Sequence, residues 1–156
     1  MDDLKLATLE DVNDVVRMAK LFARNSPHKT MKFADEKFKK FVEGVVTGDL
    51  SRSIIILAHK EGVPIGMVVA VAMEPVWSND KVATELAWYV KPKHRGSKQS
   101  LRLFRAYEDW ALRVGCTHIQ NAHLEGSEYR DTGRFYERKG YTKVESSYVK
   151  TLKGVS

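Results

Sequence analysis

The sequence has one cysteine, Cys116. No disulfide can form within such a chain, and no cysteine-rich zinc module can be built from it. It has no run of 18 apolar residues, so no transmembrane helix and no membrane partner are expected. The N-terminal residues Met1, Asp2 and Asp3 lack the basic start and apolar stretch of a signal peptide, which makes a cytoplasmic protein the expectation. Missing too are a Gly-x-Ser-x-Gly elbow, a Walker loop and a His-Glu-x-x-His helix, the short motifs of common hydrolases, nucleotide triphosphatases and zinc proteases. His118 and His123 have no third or fourth ligand at zinc-like spacing, so no metal is expected.

What is present is ordinary in amount and uneven in placement. The 156 residues suit one domain, 1–156, and 43% hydrophobic against 29% charged residues is a globular balance. The formal charge is +6, from 26 Lys+Arg and 20 Asp+Glu. The segment 91–105 carries Lys91, Lys93, Arg95, Lys98, Arg102 and Arg105 and no acid. Without those six the remainder holds 20 bases and 20 acids, so the whole excess lies in 15 consecutive residues. A basic excess raises the question of nucleic acid. One compact turn fits a small phosphate ligand better than an extended duplex, so a nucleic-acid module ranks last among the readings. Steep weakening of binding with salt would be its mark.

Along the chain, 4–7 alternates like a short strand. Thr8, three residues before Asp11, starts a helix in the manner of a capping box. Val12, Val15, Val16, Ala19, Phe22 and Ala23 give that helix one apolar face, and Asn25-Ser26-Pro27 ends it. A second helix is predicted over 34–47, with Phe38, Phe41, Val42 and Val45 on one face. Two buried strands, 53–58 and 63–73, join in a hairpin through Lys60-Glu61-Gly62. A polar loop, 75–81, precedes a strand at 82–90. Then come a helix at 97–114, a strand at 116–123, a short helix around 128–139, and one or two strands within 141–152. The order β-αα-βββ-α-β-α-β describes an α/β domain with an antiparallel portion followed by crossovers.

The basic segment joins a strand to a helix. A helix N-terminus presents unpaired N–H groups and the positive end of its dipole, which suits phosphate. The spacing predicts that Arg95, Lys98, Arg102 and the backbone from Gly96 to Ser100 converge on one anion.

Here the sequence resembles the GNAT (GCN5-related N-acetyltransferase) family. The residues Val90-x-Pro92-x-x-Arg95-Gly96 match the end of its cofactor-binding strand. In the family pattern Arg/Gln-x-x-Gly-x-Gly/Ala, the two small positions fall on Lys98, a departure, and on Ser100. Phe135-Tyr136-Glu137-Arg138-Lys139-Gly140-Tyr141 looks like the Phe-Tyr-x-x-x-Gly-Phe/Tyr element, roughly 40 residues downstream. Asn121 matches a polar residue often found between the two.

The resemblance implies a single mixed, mostly antiparallel sheet flanked by helices, and acetyl-CoA as co-substrate. It implies direct transfer of an acetyl group to a primary amine, on a small molecule or a protein. The cofactor would lie along Trp88, Tyr89 and Val90, on the turn Arg95, Gly96, Ser97, Lys98, Gln99 and Ser100, and near Asn121. Tyr136 stands at the position of the acid that serves the leaving thiolate, or else packs its ring locally; a phenol and a thiol have similar proton affinities. Glu85 stands near the family's general base, or else is a solvated strand residue. Strict alternation would put it on a face with Ala87 and Tyr89. Homodimers are common in the family, so one is allowed here. Acceptor choice would come from the first two helices and from loops 25–33 and 75–81. Lys29, Lys32 and His28 argue against a strongly cationic acceptor docking at the first loop. A fold that binds CoA without turnover, or that serves protein interaction, is the second reading; Lys98 in place of glycine is its basis. Trp110, at helical spacing from Leu103, Tyr107 and Val114, is expected in the core.

Overall fold

The computed structural model describes residues 3–124 and 132–153. Its elements are β1 (Leu4–Leu6), α1 (Val12–Arg24), α2 (Asp35–Val46), β2 (Ser53–Lys60), β3 (Val63–Met73), β4 (Val82–Val90), α3 (Lys98–Arg113), β5 (His118–Gln120) and α4 (Thr132–Arg138), with 3-10 turns at Leu9–Asp11 and Pro92–His94. The strands form one sheet in the order β1-β2-β3-β4-β5. All neighbours are antiparallel except β4 and β5. The mixed, mostly antiparallel sheet flanked by helices is thus the observed fold.

The continuous apolar runs of β2 and β3 are explained by cover on both faces. Ile55, Leu57, Met67 and Val69 pack with Val15, Met18, Val42 and Val45 of α1 and α2. Their alternate neighbours Ile54, Ile56, Val68 and Ala70 pack with Leu103, Tyr107, Trp110 and Ala111 of α3. Trp110 also donates its Nε1–H to the Leu50 carbonyl at 2.7 Å, a core role as expected.

The entry to α1 is tied by Asp11. Its carboxylate accepts from the Thr8 backbone N–H at 2.8 Å and the Thr8 hydroxyl at 3.1 Å, and pairs with Lys5 at 2.9 Å. Burial alone would raise the Asp11 pKa; the bonds from Lys5 and Thr8 outweigh it and hold the group below its usual 3.8. A depressed carboxylate stabilises the fold above its unfolded pKa and loses that contribution as the pH falls through the folded value. Asp11→Asn should therefore cost about 1–2 kcal/mol at pH 7. Thermal melts should show the gap between the two proteins closing as the pH falls below 3.8.

Two expectations need correction. The segment 141–152 forms no strand. Val144, Tyr148 and Leu152 are 79%, 92% and 86% exposed, and the contact to its neighbouring strand is a side-chain bond from Gln120 to Glu145 at 3.1 Å. A suitable composition makes a strand only where a partner edge offers a ladder, and β5 is three residues long. The strand foreseen over 116–123 shrinks to those three residues, the ones that pair with Val82, Ala83 and Thr84 of β4. The helix foreseen from Glu128 begins at Thr132, its expected first residues lying outside those described.

Candidate active site

The site is made by two irregularities in β4. The first is a bulge. Val69 of β3 pairs with Ala87 and Ala70 with Glu85, so Leu86 is an extra residue with no opposite number. An added residue flips the alternation beyond it. Ala87 and Tyr89 accordingly face α1 and α2. Glu85 sits across from Ala70, on the α3 side with Ala83, Trp88 and Val90. The sequence expectation that Glu85 shares a face with Ala87 is therefore wrong, and the bulge is the reason.

The second irregularity is a gap. β5 pairs with β4 only at Val82, Ala83 and Thr84. Among the described residues nothing pairs with the outer edge of β4 from Glu85 onward. At its end β4 lies against Gly66 of β3. A Cβ there would come within 2.8 Å of the Tyr89 carbonyl oxygen, so only glycine permits the approach.

A cavity of about 1090 Å³ occupies this gap. Glu85, Leu86, Trp88 and Val90 of β4 line it, with Phe135 and Tyr136 of α4. Gly96, Ser100 and Leu101 from the start of α3 line another part, and Phe22 and His28 a further one. Helix α4 is anchored by aromatic contacts: Phe104 lies 5.0 Å from both Trp88 and Phe135 and 6.1 Å from Tyr136, centroid to centroid.

At the start of α3, Ser97 caps the helix by accepting from the Ser100 N–H at 3.2 Å. Gly96 precedes it with φ at +72°, a conformation that favours glycine. Partial desolvation together with Lys93, Lys60 and Lys91 holds the His94 pKa below its usual value, which shows the positive field of this turn. The expected convergence of three cations on one anion is not what the side chains do. Arg102 pairs with Asp3 at 3.1 Å. Lys98 is exposed and does not line the cavity. Arg95 lines it, donating from Nε to the Val90 carbonyl at 2.8 Å and lying 6.0 Å from the Tyr89 ring centroid.

Glu85 and Tyr136 both line the cavity wall, with the Tyr136 hydroxyl near enough to influence the Glu85 carboxyl. Burial pushes the Glu85 carboxyl up to about 7, against the opposing pull of the Tyr136 hydroxyl. The Tyr136 hydroxyl donates to the Ala122 carbonyl at 3.2 Å. Burial first, and then the charge of Glu85, raise its pKa above that of a free phenol. The match of phenol and thiol expected from their free values is therefore lost; Tyr136 stays protonated and acts as a donor.

Of the other residues picked out in the sequence, Tyr89 is buried under α1, Ser97 is the helix cap, and Gln99 and Asn121 do not line the cavity. Loop 25–33 contributes His28, whereas 75–81 lines a separate hollow on the surface. Phe22, Leu86, Leu101, Ala122, Leu124, Thr132 and Arg138 were not foreseen. Nothing in their local sequence separates them from core or surface residues, because the gap that gathers them is a property of the sheet. Among the described residues no cluster of His, Cys, Asp and Glu could hold a metal.

The family model for the acetyltransferase (GNAT) family matches residues 14–141. The chain belongs to the GNAT acetyltransferase family. No curated protein sequence matches it, but many solved structures share its fold. AAC(6')-Iy in complex with the bisubstrate analogue CoA-S-monomethyl-acetylneamine superposes with a TM-score of 0.75 at 15% identity, covering 97% of this chain and 98% of that one. Aminoglycoside 6'-N-acetyltransferase AAC(6')-IG from Acinetobacter haemolyticus gives 0.72 at 18%, covering 98% and 99%. Ribosomal-protein-alanine N-acetyltransferase from Brucella melitensis biovar Abortus 2308 gives 0.67 at 18%, covering 97% and 100%. Among the described residues of this GNAT protein no helix is long and apolar enough to cross a membrane.

Proposed function

We propose that the chain is an acetyl-CoA-dependent N-acetyltransferase acting on a primary amine by direct transfer in a ternary complex. The observation that carries this is the Glu85–Tyr136 pair, which faces the same cavity as the N-terminus of α3.

The residues present fit an acyl-CoA. Orphan N–H groups open α3 beside Gly96, suiting a phosphate. The open edge of β4 from Leu86 to Val90 offers backbone groups to an amide-bearing arm. Trp88 Nε1 is buried on this wall with no hydrogen-bond partner among the described residues, and a bound carbonyl would satisfy it. Acetyl-CoA supplies the acetyl group as a thioester. Glu85, ionised above about pH 7, takes a proton from the attacking amine. Once Glu85 is protonated, its charge no longer raises the Tyr136 pKa, so the phenol is a better donor when the thiolate leaves. Transfer of that proton to sulfur, and of the Glu85 proton to the neighbouring Tyr136, returns both groups to their starting state.

The acceptors after which two structural neighbours are named, an aminoglycoside and an alanine of a ribosomal protein, share an amine and little else. The amine is accordingly what the present site is proposed to read. The test is thiol release from acetyl-CoA over a panel of primary amines, beside a calorimetric titration with CoA. Amine-dependent release supports the assignment. Tight CoA binding with no release over the panel would favour the second reading, a fold that binds without turnover.

The two basic residues separate in this account. Arg95→Ala should weaken acetyl-CoA binding about tenfold, roughly 1.4 kcal/mol, because it frees the Val90 carbonyl and removes a cavity charge. Lys98→Ala, at an exposed position outside the cavity, should change it less than about twofold. Equal losses in the two variants would show that the phosphates sit on the outer face of the turn.

A further inference from the structure

In the reading above, the start of α3 serves the cofactor, and Glu85 and Tyr136 serve the reacting groups. The side of the cavity toward α1 is left for the acceptor. There the wall is Phe22 near the end of α1, His28 in the turn after it, and Leu86, the residue that follows Glu85.

This wall is apolar next to the base. Leu86 is the bulged residue of β4, with no opposite number on β3, and it is 47% exposed while lining the cavity. Phe22, half-buried, adds to the same wall. Apolar side chains held out of the core in a concave site gain by being covered, which is typical of a ligand wall.

The rim of the wall is positive. Between Val15 and Ala34 the sequence has five bases, Arg17, Lys20, Arg24, Lys29 and Lys32, and no acid. Arg17 and Lys20 are paired, with Asp14 and Asp35. Arg24, Lys29 and Lys32 are exposed, on either side of His28 in the chain. The turn that carries them is fixed by Ser26, which is buried. Its hydroxyl donates to the Ala23 carbonyl at 2.9 Å and accepts from the His28 backbone N–H at 3.1 Å. Among the described residues that line the cavity, Glu85 is the one acid. Glu85 has to take the proton of the reacting amine, so it cannot at the same time neutralise a second ammonium group.

We infer that the acceptor is a monoamine with an apolar alkyl or aryl body and no second positive charge, its body lying on Leu86 and Phe22 with the amine at Glu85. The inference rests on the acetyl-transfer reading of the site. Such a body is favoured by the apolar area it removes from water. A polyamine would bring its further ammonium groups toward Arg24, Lys29 and Lys32, with like charge on both sides.

The test compares phenethylamine with spermidine at saturating acetyl-CoA. Phenethylamine should have the higher kcat/KM by about tenfold or more. The gap should narrow as salt screens the exposed bases. His28→Glu sets a carboxylate between Arg24 and Lys29 and leaves the backbone bond to Ser26 in place. Spermidine should gain severalfold in that variant and phenethylamine should change little. Leu86→Ala should raise KM for phenethylamine about tenfold, with kcat and the KM for spermidine nearly constant. The same two amines titrated calorimetrically into CoA-saturated protein read the preference without turnover. Tighter binding of phenethylamine supports the inference. Equal or tighter binding of spermidine would overturn it, as would an unchanged preference in Leu86→Ala. Absence of transfer to any amine would sink the acetyl-transfer reading instead, and the calorimetric preference would still decide what the wall accepts.

Discussion

Replacing Glu85 by Gln should lower kcat for acetyl transfer by about 10²–10⁴, the range in which a positioned general base contributes. The amide is the same size as the carboxyl and can keep its place beside Tyr136, so acetyl-CoA binding should change little. The unaltered enzyme should gain rate as the pH rises through about 7, where Glu85 ionises, and the variant should lack that limb. The same substitution should make the protein more stable. The folded-state pKa of Glu85 is raised from 4.5 to about 7 by burial. Below 4.5 the group is protonated in both folded and unfolded chains and costs nothing. As the pH rises from 4.5 through about 7 the unfolded chain ionises first, and stability is lost. Glu85→Gln, which cannot ionise, should therefore melt higher than the unaltered protein at pH 8 and at the same temperature at pH 4. A variant that is slower, and more stable only at high pH, is the signature of a group kept in an unfavourable environment for chemistry.

The second large effect is expected at Tyr136. Tyr136→Phe should lower kcat by about 10²-fold with KM for acetyl-CoA nearly constant, because toward the cofactor the hydroxyl acts only on the departing sulfur. Its ring contacts, 5.6 Å to Tyr141 and 6.1 Å to Phe104, survive the change. The loss should shrink for acyl donors whose leaving thiol is more acidic, since such a thiolate has less need of a proton. A phenylalanine variant that keeps full rate with both kinds of donor would reduce Tyr136 to a packing residue. In that variant Glu85 also loses the lowering pull of the Tyr136 hydroxyl, so its pKa should rise further and the acidic limb move upward.

Much of the architecture was legible because it depends on local patterns. The faces of α1 and α2, the hairpin of β2 and β3, and the break after Val90 are written in periodicity and in turn residues. The turn from Pro92 to Ser100 was legible for the same reason: a proline, a glycine and a serine cap lie within nine residues. Glu85 could be named but not placed. Its face depends on Leu86 being left over in the pairing with β3, and a one-residue slip has no mark in the sequence of β4 itself. Arg102 was misread because its partner, Asp3, lies 99 residues away in the chain. The run after Gly140 has strand composition but no partner edge, which composition cannot reveal. The unforeseen cavity residues come from α1, β4, α3 and α4 and the segments beside them, and the gap between β4 and β5 is what brings them together.

The most direct test of Glu85 as the base of an acetyl-transfer site is the pH dependence of thiol release. Unaltered protein and Glu85→Gln would be compared from pH 5 to 9 with acetyl-CoA and a saturating primary amine. The account predicts amine-dependent release that rises to a plateau through about pH 7 in the unaltered protein and stays low across the range in the variant. Superimposable profiles for the two proteins would contradict it.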